Sequence, residues 1–273
     1  MRVYKKTESN KQYHSDKEYI SSSGLRMYLK SPLHYKHYIE HGEESNPAFV
    51  MGSLYHTAIL EPDKLKLEYI RTIHRPDQSK GMTAKANKEW RSGLEARDRH
   101  VVDEATWETV QAMKKKLSES EDLVRLIDKG MNEHSYYIDG FEGVKVKVRP
   151  DKVTKHAVID FKTTDNASAE GFTRTIFKYG YHIQAALYLD VLKQFESQDR
   201  QFVFVVQEKK EPYAYQLFRL DEEVIEYGRW KYLDLIEKHK KCLEEKKWGG
   251  YEQFNEESSK GVTTIKLPGW INY

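Results

Sequence analysis

Apolar runs with strand character lie in the second half of the chain. The segments HSYYID, VKVKVR, HAVIDF, FVFVVQ and AYQLFRL alternate apolar and polar residues or run continuously apolar, as strands do. Two longer segments have helical spacing between and after them, SAEGFTRTIFKYGYHIQAALYLDVLKQF and DEEVIEYGRWKYLDLIEKHKKCLEEKKW. The pattern therefore predicts the order β-β-β-α-β-β-α from about residue 131 onward, followed by an irregular tail that ends in LPGWINY.

The first half of the chain has helical patterns instead. Ser21 and Ser31-Pro32 are start signals for two helices, and NPAFVMGSLYHTAILEP predicts a third that ends at Glu61-Pro62. Residues 64–82 are less regular, whereas residues 83–129 are polar but helical in pattern. We predict a flexible N-terminal arm over 1–20 and one domain over 21–273, mainly helical to 130 and sheet-based from 131.

Composition narrows the class of protein. The 273 residues carry 45 Lys and Arg against 43 Asp and Glu, with 38% hydrophobic residues, which is typical of a globular chain. The single cysteine, Cys242, excludes an internal disulfide framework and a four-cysteine metal or iron–sulfur site. A reducing, intracellular compartment is expected. No apolar run reaches the roughly 20 residues that cross a bilayer.

The segment VRPDKVTKHAVIDFKTT, residues 148–164, carries the most suggestive chemistry. Asp160 and Lys162 are two residues apart in a predicted strand and so share one face, while Phe161 points to the other. Asp151 lies in the turn before that strand. Two carboxylates on neighbouring strand ends can bind Mg²⁺, and a lysine can stabilise charge on a phosphate. Alone, the segment is equally compatible with an ordinary hairpin that carries solvated charges.

Motifs elsewhere favour the first interpretation. Pro150-Asp151 and Asp160-Phe161-Lys162 resemble the PD-(D/E)xK nuclease signature, and Gln184 to Tyr188 resembles the Q-x-x-x-Y motif of RecB-type nuclease domains. GSLYH, which ends at His56, resembles a G-x-x-x-H segment. Together with ISSSGLRMYLKSPLHYKHYI and the LPGW tail, these motifs resemble the RecE-type exonucleases of phages and prophages. The resemblance spans about residues 20–273 and implies an α/β, restriction-endonuclease-like core, with a central mixed sheet flanked by helices and an N-terminal helical region.

The resemblance also implies roles for particular residues. His56, Asp151, Asp160 and the backbone carbonyl of Phe161 would bind the metal, Mg²⁺ with Mn²⁺ able to substitute, and Lys162 would be the catalytic lysine. Gln184 and Tyr188 would brace the site or lie near DNA. Glu133, before the first strand of the core, is either a further acidic metal ligand or a solvated glutamate.

DNA contacts are expected from the first helices. Serine hydroxyls at a helix start can bind a terminal phosphate, and interleaved cations and aromatic rings suit a DNA strand. The candidates are Ser21, Ser22, Ser23, Arg26, Lys30, His34, Tyr35, Lys36 and His37, with Tyr28 and Tyr38 between them. The alternative is a serine-capped amphipathic helix with a solvated basic face.

The resemblance implies a Mg²⁺-dependent 5′→3′ exonuclease on linear double-stranded DNA, which leaves a 3′ overhang for recombination or single-strand annealing. Two alternatives stay open: an endonuclease or nickase with the same site, and a non-catalytic DNA-end-binding scaffold. The resemblance further implies a homo-oligomeric ring around DNA ends, a single-strand annealing protein as partner, and the cytoplasm of a bacterial host. No helicase P-loop is present in the sequence.

Overall fold

The fold is that of a computed structural model, which describes residues 2–42 and 46–251. The predicted LPGWINY tail lies outside the described residues. The first half contains β1 (Arg2–Lys6), α1 (Asn10–Ser15), β2 (Ile20–Ser21), α2 (Ser22–Met27), α3 (Pro32–His41), α4 (Pro47–Leu60), α5 (Pro62–Glu68), β3 (Tyr69–Arg71), α6 (Lys85–Glu95), β4 (His100–Val102), α7 (Glu104–Ser118) and α8 (Glu121–Asp128). The second half contains β5 (Met131–Asn132), β6 (Ser135–Phe141), β7 (Val144–Val148), β8 (Lys152–Val153), β9 (Ala157–Thr164), α9 (Ala169–Tyr179), α10 (Tyr181–Lys193), β10 (Gln201–Glu208), β11 (Tyr215–Arg219) and α11 (Glu222–Glu245).

The central sheet has five strands in the order β11-β10-β9-β8-β5. Strands β9 and β10 are parallel, with Asp160 beside Phe204, whereas β10 and β11 are antiparallel. A second sheet has the order β1-β6-β7-β2, and β3 pairs with β4 in a small parallel ribbon. The α/β class with a mixed sheet and flanking helices is confirmed. The five predicted strands of the second half are present as β6, β7, β9, β10 and β11, but the two-residue strands β5 and β8 were not predicted, and the first predicted helix is divided in two.

Strand β9 separates two hydrophobic cores, which explains its nearly continuous apolar sequence. Ile159 and Phe161 pack into the core that contains Leu54 and Tyr55 of α4. Val158, on the opposite face, packs into the core that contains α10. Because successive side chains alternate between faces, Asp160 and Lys162 lie on the α10 side. The predicted faces of Asp160, Phe161 and Lys162 are confirmed.

The N-terminal segment departs from the prediction of a flexible arm. Strand β1 pairs antiparallel with β6, from Arg2 opposite Asp139 to Lys6 opposite Ser135. The buried Lys147 side chain donates to the backbone carbonyls of Tyr13 and Asp16. The arm prediction was wrong because a charged sequence can still supply a paired edge strand, whose polar side chains stay exposed while its backbone is bonded.

Several boundaries also differ from the predicted ones. The helical stretch over 168–195 is two helices, since Gly180 has φ +68° and ends α9 before α10 begins. Residues 64–82, expected to be irregular, include most of α5 and all of β3, and the helical region 83–129 includes strand β4. The predicted caps at Ser21 and Ser31 and the predicted helix end at Glu61 are confirmed.

Candidate active site

Three residues from distant parts of the chain meet at Phe161, in the middle of β9. The Asp151 carboxylate accepts a hydrogen bond from the backbone N–H of Phe161 at 2.7 Å. His56, from the middle of α4, places Nδ1 3.3 Å from the same Asp151 oxygen and Nε2 2.9 Å from the Phe161 carbonyl oxygen. The turn before β8 and helix α4 are therefore both bonded to the backbone of one residue of β9, Phe161.

Glu133 completes a group of possible metal ligands. The three ligand atoms, one each from His56, Glu133 and Asp151, lie within 4.8 Å of one another. The backbone brings Glu133 there, because its N–H donates to the Asp151 carbonyl at 3.0 Å and its φ is +52°. Of the two interpretations left open for Glu133, the structure favours the one beside the metal ligands.

Asp160 and Lys162 form an adjoining pair on the α10 side of β9. They make an ion pair, and Gln184 donates its Nε2–H to Asp160 Oδ2 at 2.7 Å. The Lys162 ammonium also lies 4.7 Å from the centre of the Tyr181 ring, within cation–π distance. The Asp160 carboxylate is not among the converging ligand atoms, so its role as a metal ligand remains a prediction.

Tyr188 lies one helical turn beyond Gln184 and is buried in the α10 core, where its ring is 6.3 Å from that of Phe202. Burial and the charges of Asp160 and Asp151 raise the pKa of its hydroxyl. The predicted bracing position of Gln184 and Tyr188 on one face of α10 agrees with this placement. Their proximity to DNA stays a prediction.

The ionisation of the site reflects crowded, buried charges. Burial alone would lower the pKa of His56, but the charge and hydrogen bond of Asp151 outweigh it and raise that pKa to about 9. Burial raises the pKa of Glu133 to about 7, helped by the charge of Asp151. Burial also raises the pKa of Asp160 against the opposing effect of Lys162. Protons therefore compensate for negative charge that a cation would otherwise balance.

The residues fit a divalent cation. The group offers two carboxylates and one imidazole, and the Phe161 carbonyl is a further oxygen donor beside His56. Carboxylate and carbonyl oxygens suit Mg²⁺ and Mn²⁺, and an imidazole is compatible with Mn²⁺ and later transition metals. The raised pKa of Glu133 also favours a cation site, because a bound cation would remove the cost of ionising the Glu133 carboxyl in its buried position.

The predicted DNA-binding residues differ in their surroundings: some form hydrogen bonds in and around α2, some are exposed, and some are buried. Arg26 and Lys162 both lie near the Tyr181 ring: the Arg26 guanidinium is 5.8 Å from its centre and also donates to the Tyr179 carbonyl. Ser21 caps α2 through the Gly24 N–H, and Ser23 accepts from Arg26. Lys30, Lys36 and His37 are exposed, and His34 bonds to Ser31.

Three of the predicted DNA contacts are wrong for the described fold, because their side chains are buried. Tyr28 and Tyr35 are 5% and 7% exposed, and their ring centres are 4.6 Å apart. Ser22 is only 2% exposed. The two rings face inward because α2 and α3 pack their apolar faces against the core that contains both tyrosines. Tyr38 is partly exposed and lies beside Lys17.

Two residues that contact the candidate site were not predicted from the sequence. Arg149 is buried, with Nε 3.0 Å from a Glu133 oxygen and Nη2 donating to the Glu8 carbonyl at 2.9 Å. Tyr181 contacts Lys162 as described above. Signals for both existed, since Arg149 directly precedes Pro150-Asp151 and Tyr181 is three residues before Gln184 on the same helix face.

The mixed sheet, with Asp160 and Lys162 in β9 and Asp151 directly before the neighbouring β8, is the arrangement of a PD-(D/E)xK-type nuclease fold. Residues 21–257 match the family model described as a PDDEXK-like domain of unknown function, DUF3799, and the chain belongs to that family. Its fold is similar to the crystal structure of a Eubacterium rectale protein described as a "putative exonuclease", with a TM-score of 0.68, 13% identity and 96% of each chain covered. A search of curated proteins finds no significant match. Within the described residues, no helix is both long and apolar enough to cross a membrane.

Proposed function

We propose that this chain is a Mg²⁺-dependent 5′→3′ exonuclease, which acts on linear double-stranded DNA and leaves a 3′ single strand. One observation carries the nuclease part of the proposal: the Asp160–Lys162 pair adjoins a cluster of His56, Glu133 and Asp151 that can bind a divalent cation. The polarity and the exonuclease mode rest on the resemblance to RecE-type enzymes.

In this proposal each residue has a defined task. His56, Glu133 and Asp151, with the Phe161 carbonyl, hold the cation, which when bound neutralises phosphate charge and activates water. Lys162 stabilises charge that develops on the phosphate. Asp160 and the Tyr181 ring restrain the Lys162 ammonium, and Gln184 in turn holds Asp160. Arg26, whose guanidinium lies 5.8 Å from the centre of the Tyr181 ring, binds the DNA backbone.

The test uses duplex DNA that is linear and 5′-phosphorylated, labelled on either end, with Mg²⁺ and then with EDTA. Wild-type protein should release nucleotides from the 5′ end only with the metal, and Asp160→Ala should be at least a hundredfold slower. Asp199→Ala is the matched control, because Asp199 is an exposed aspartate that pairs with the surface residue Lys193. Equal degradation by wild type and Asp160→Ala would contradict the assignment of this site.

A closed circular duplex separates the alternatives. An end-dependent exonuclease leaves it intact, whereas cleavage of the circle would establish an endonuclease or nickase. Retention of labelled ends without release of nucleotides would establish a binding scaffold. We also propose, from the resemblance alone, a ring-shaped homo-oligomer and a single-strand annealing partner; light scattering of the purified chain tests the first, and a monomer would contradict it.

A further inference from the structure

A separate cavity lies in the helical half of the molecule, between β3 and the helices that follow it. Its volume is about 450 Å³, within the range of small-ligand sites. The side chains that give it chemical character are those of Lys66, Arg71, His74, Trp90, Arg99 and Trp107. None of the residues assigned to the metal cluster or to the Lys162 pair lines this cavity.

Cations and indole rings dominate the cavity walls, and no carboxylate is among the residues that line it. Arg71 is already balanced, since it forms an ion pair with Glu104 and lies 5.8 Å from the centre of the Trp107 ring. Arg71 therefore supports Trp107. The other cations of the cavity remain available to bind a ligand.

Arg99 and Lys66 are those remaining cations. Within residues 2–42 and 46–251, neither side chain forms an ion pair. Arg99 donates one Nη2 bond to the Lys66 carbonyl at 3.1 Å, while its buried Nε has no hydrogen-bond partner among the described residues. A buried donor without a partner costs free energy, and an anion in the cavity would remove that cost.

The surrounding segment is also basic, in contrast to the nearly neutral chain. Between residues 64 and 100 there are ten Lys and Arg against five Asp and Glu. Local positive charge attracts polyanions even when the net charge of a protein is small. Indole rings beside such charge favour a ligand with flat aromatic rings as well as anionic groups.

We infer that this cavity binds a nucleotide unit, with its base against the indole rings and its phosphate at Arg99 and Lys66. The ligand is either one nucleotide of a DNA strand or a free nucleoside monophosphate. Binding here requires no reacting atoms, so the inference goes beyond the proposed cleavage and stands apart from it.

The test measures quenching of tryptophan fluorescence in EDTA, so that no DNA is cut. The probes are a ten-nucleotide oligo-dT and dTMP, each titrated against the full-length protein. We expect saturable quenching whose amplitude falls in Trp90→Phe. Arg99→Gln should weaken binding at least tenfold, and Arg99→Lys should restore part of it. Quenching by oligo-dT alone would assign a DNA strand, and comparable affinity for dTMP would assign a free nucleotide.

Arg97→Gln is the matched control, because Arg97 is an exposed arginine two residues away that does not line the cavity. Thermal melting checks that each variant is folded. Three results would overturn the inference: no saturable quenching by either probe, equal weakening in Arg97→Gln and Arg99→Gln, or equal quenching by poly-glutamate. Loss of nuclease activity would leave the result unaffected, because binding is measured without metal.

Discussion

The side-chain amide of Gln184 donates to the carboxylate of Asp160 at 2.7 Å, inside the protein and 24 residues away along the chain. This bond fixes which Asp160 oxygen faces α10, so that the other oxygen is left for Lys162. Residues that orient ligands and catalytic groups are often nearly as important as the groups themselves.

Gln184→Ala should therefore reduce nuclease activity about 10–100-fold, the range typical of such orienting partners. The physical reason is that the Asp160 carboxylate gains freedom to rotate away from Lys162. Single-turnover cleavage rates at saturating Mg²⁺ measure the effect. Gln194→Ala, an exposed glutamine at the end of the same helix, serves as control, and equal rates for the two variants would refute an orienting role.

Tyr181 makes a second contact with the Asp160–Lys162 pair, through the Lys162 ammonium. Tyr181→Leu should lower the cleavage rate about tenfold, because a cation–π contact contributes roughly 0.5–2 kcal/mol. Tyr181→Phe keeps the ring and should stay within about twofold of wild type by the same reasoning. The neighbouring Tyr179 stacks on Tyr181 but is half exposed, so Tyr179→Leu is the comparison. If Tyr181→Phe were as slow as Tyr181→Leu, the hydroxyl and not the ring would matter.

Without metal, the stability of the protein should fall as the pH rises. The pKa of His56 is raised to about 9, so its stabilising contribution is complete below its ordinary 6.5 and is lost as the pH rises through 9. The pKa of Glu133 is raised to about 7, so the folded state holds a proton there that the unfolded state releases near 4.5. Since the folded state binds more protons between these values, the free energy of unfolding decreases with pH.

Divalent metal competes with the same protons, so its apparent affinity should increase between pH 6 and 9. Each proton displaced makes the affinity rise by about tenfold per pH unit below the relevant pKa. Thermal melting with EDTA and with Mn²⁺ across this pH range measures both effects. Glu133→Gln should flatten the dependence between about pH 5 and 7, and an unchanged slope in that variant would exclude Glu133 as its source.

Arg149 is expected to couple the stability of the protein to the proposed metal site, because it pairs with Glu133. Arg149→Gln leaves the Glu133 carboxylate buried without its partner, and breaking such a pair costs about 3–5 kcal/mol. Urea unfolding should show this loss, and calorimetry should show weaker binding of Mn²⁺. Arg200 is as deeply buried and pairs with Glu196 elsewhere. Arg200→Gln should therefore destabilise the fold but leave Mn²⁺ affinity unchanged, and a parallel loss of affinity in both variants would reduce the Arg149 effect to general destabilisation.

Local patterns in the sequence predict the parts of the site that depend on local geometry. Asp160 and Lys162 share a face because strand periodicity requires it, and Gln184 follows from its place on a helix. The meeting of His56 with Asp151 was accessible only through the motif resemblance, because no spacing rule relates residues 95 positions apart. Glu133 likewise lies beside His56 and Asp151 through a backbone bond to Asp151 that no spacing rule predicts, and its role as a ligand stays a prediction.

The features that could not be predicted from the sequence depend on tertiary packing. In the sequence, Arg149 is an ordinary cation at the end of a strand. Its burial is evident only when the segments that follow β1 and β5 pack against it. Tyr28 and Tyr35 read as DNA contacts because a mixed basic and aromatic helix does not reveal which face is inward. The burial of both rings beside His239 is settled by α11, more than 200 residues further along the chain.

The pairing of β1 with β6 has a consequence for synthesis on the ribosome. Glu8 contacts Tyr137, 129 residues later in the chain, so the first strand emerges well before any partner exists. At about 5–20 residues per second it waits on the order of ten seconds. During that interval its backbone is an unpaired edge, and the carbonyl of Glu8 that Arg149 later binds is open to solvent. Assembly of the proposed metal site must wait longer still, until β9 has emerged with Phe161, whose backbone bonds to both His56 and Asp151.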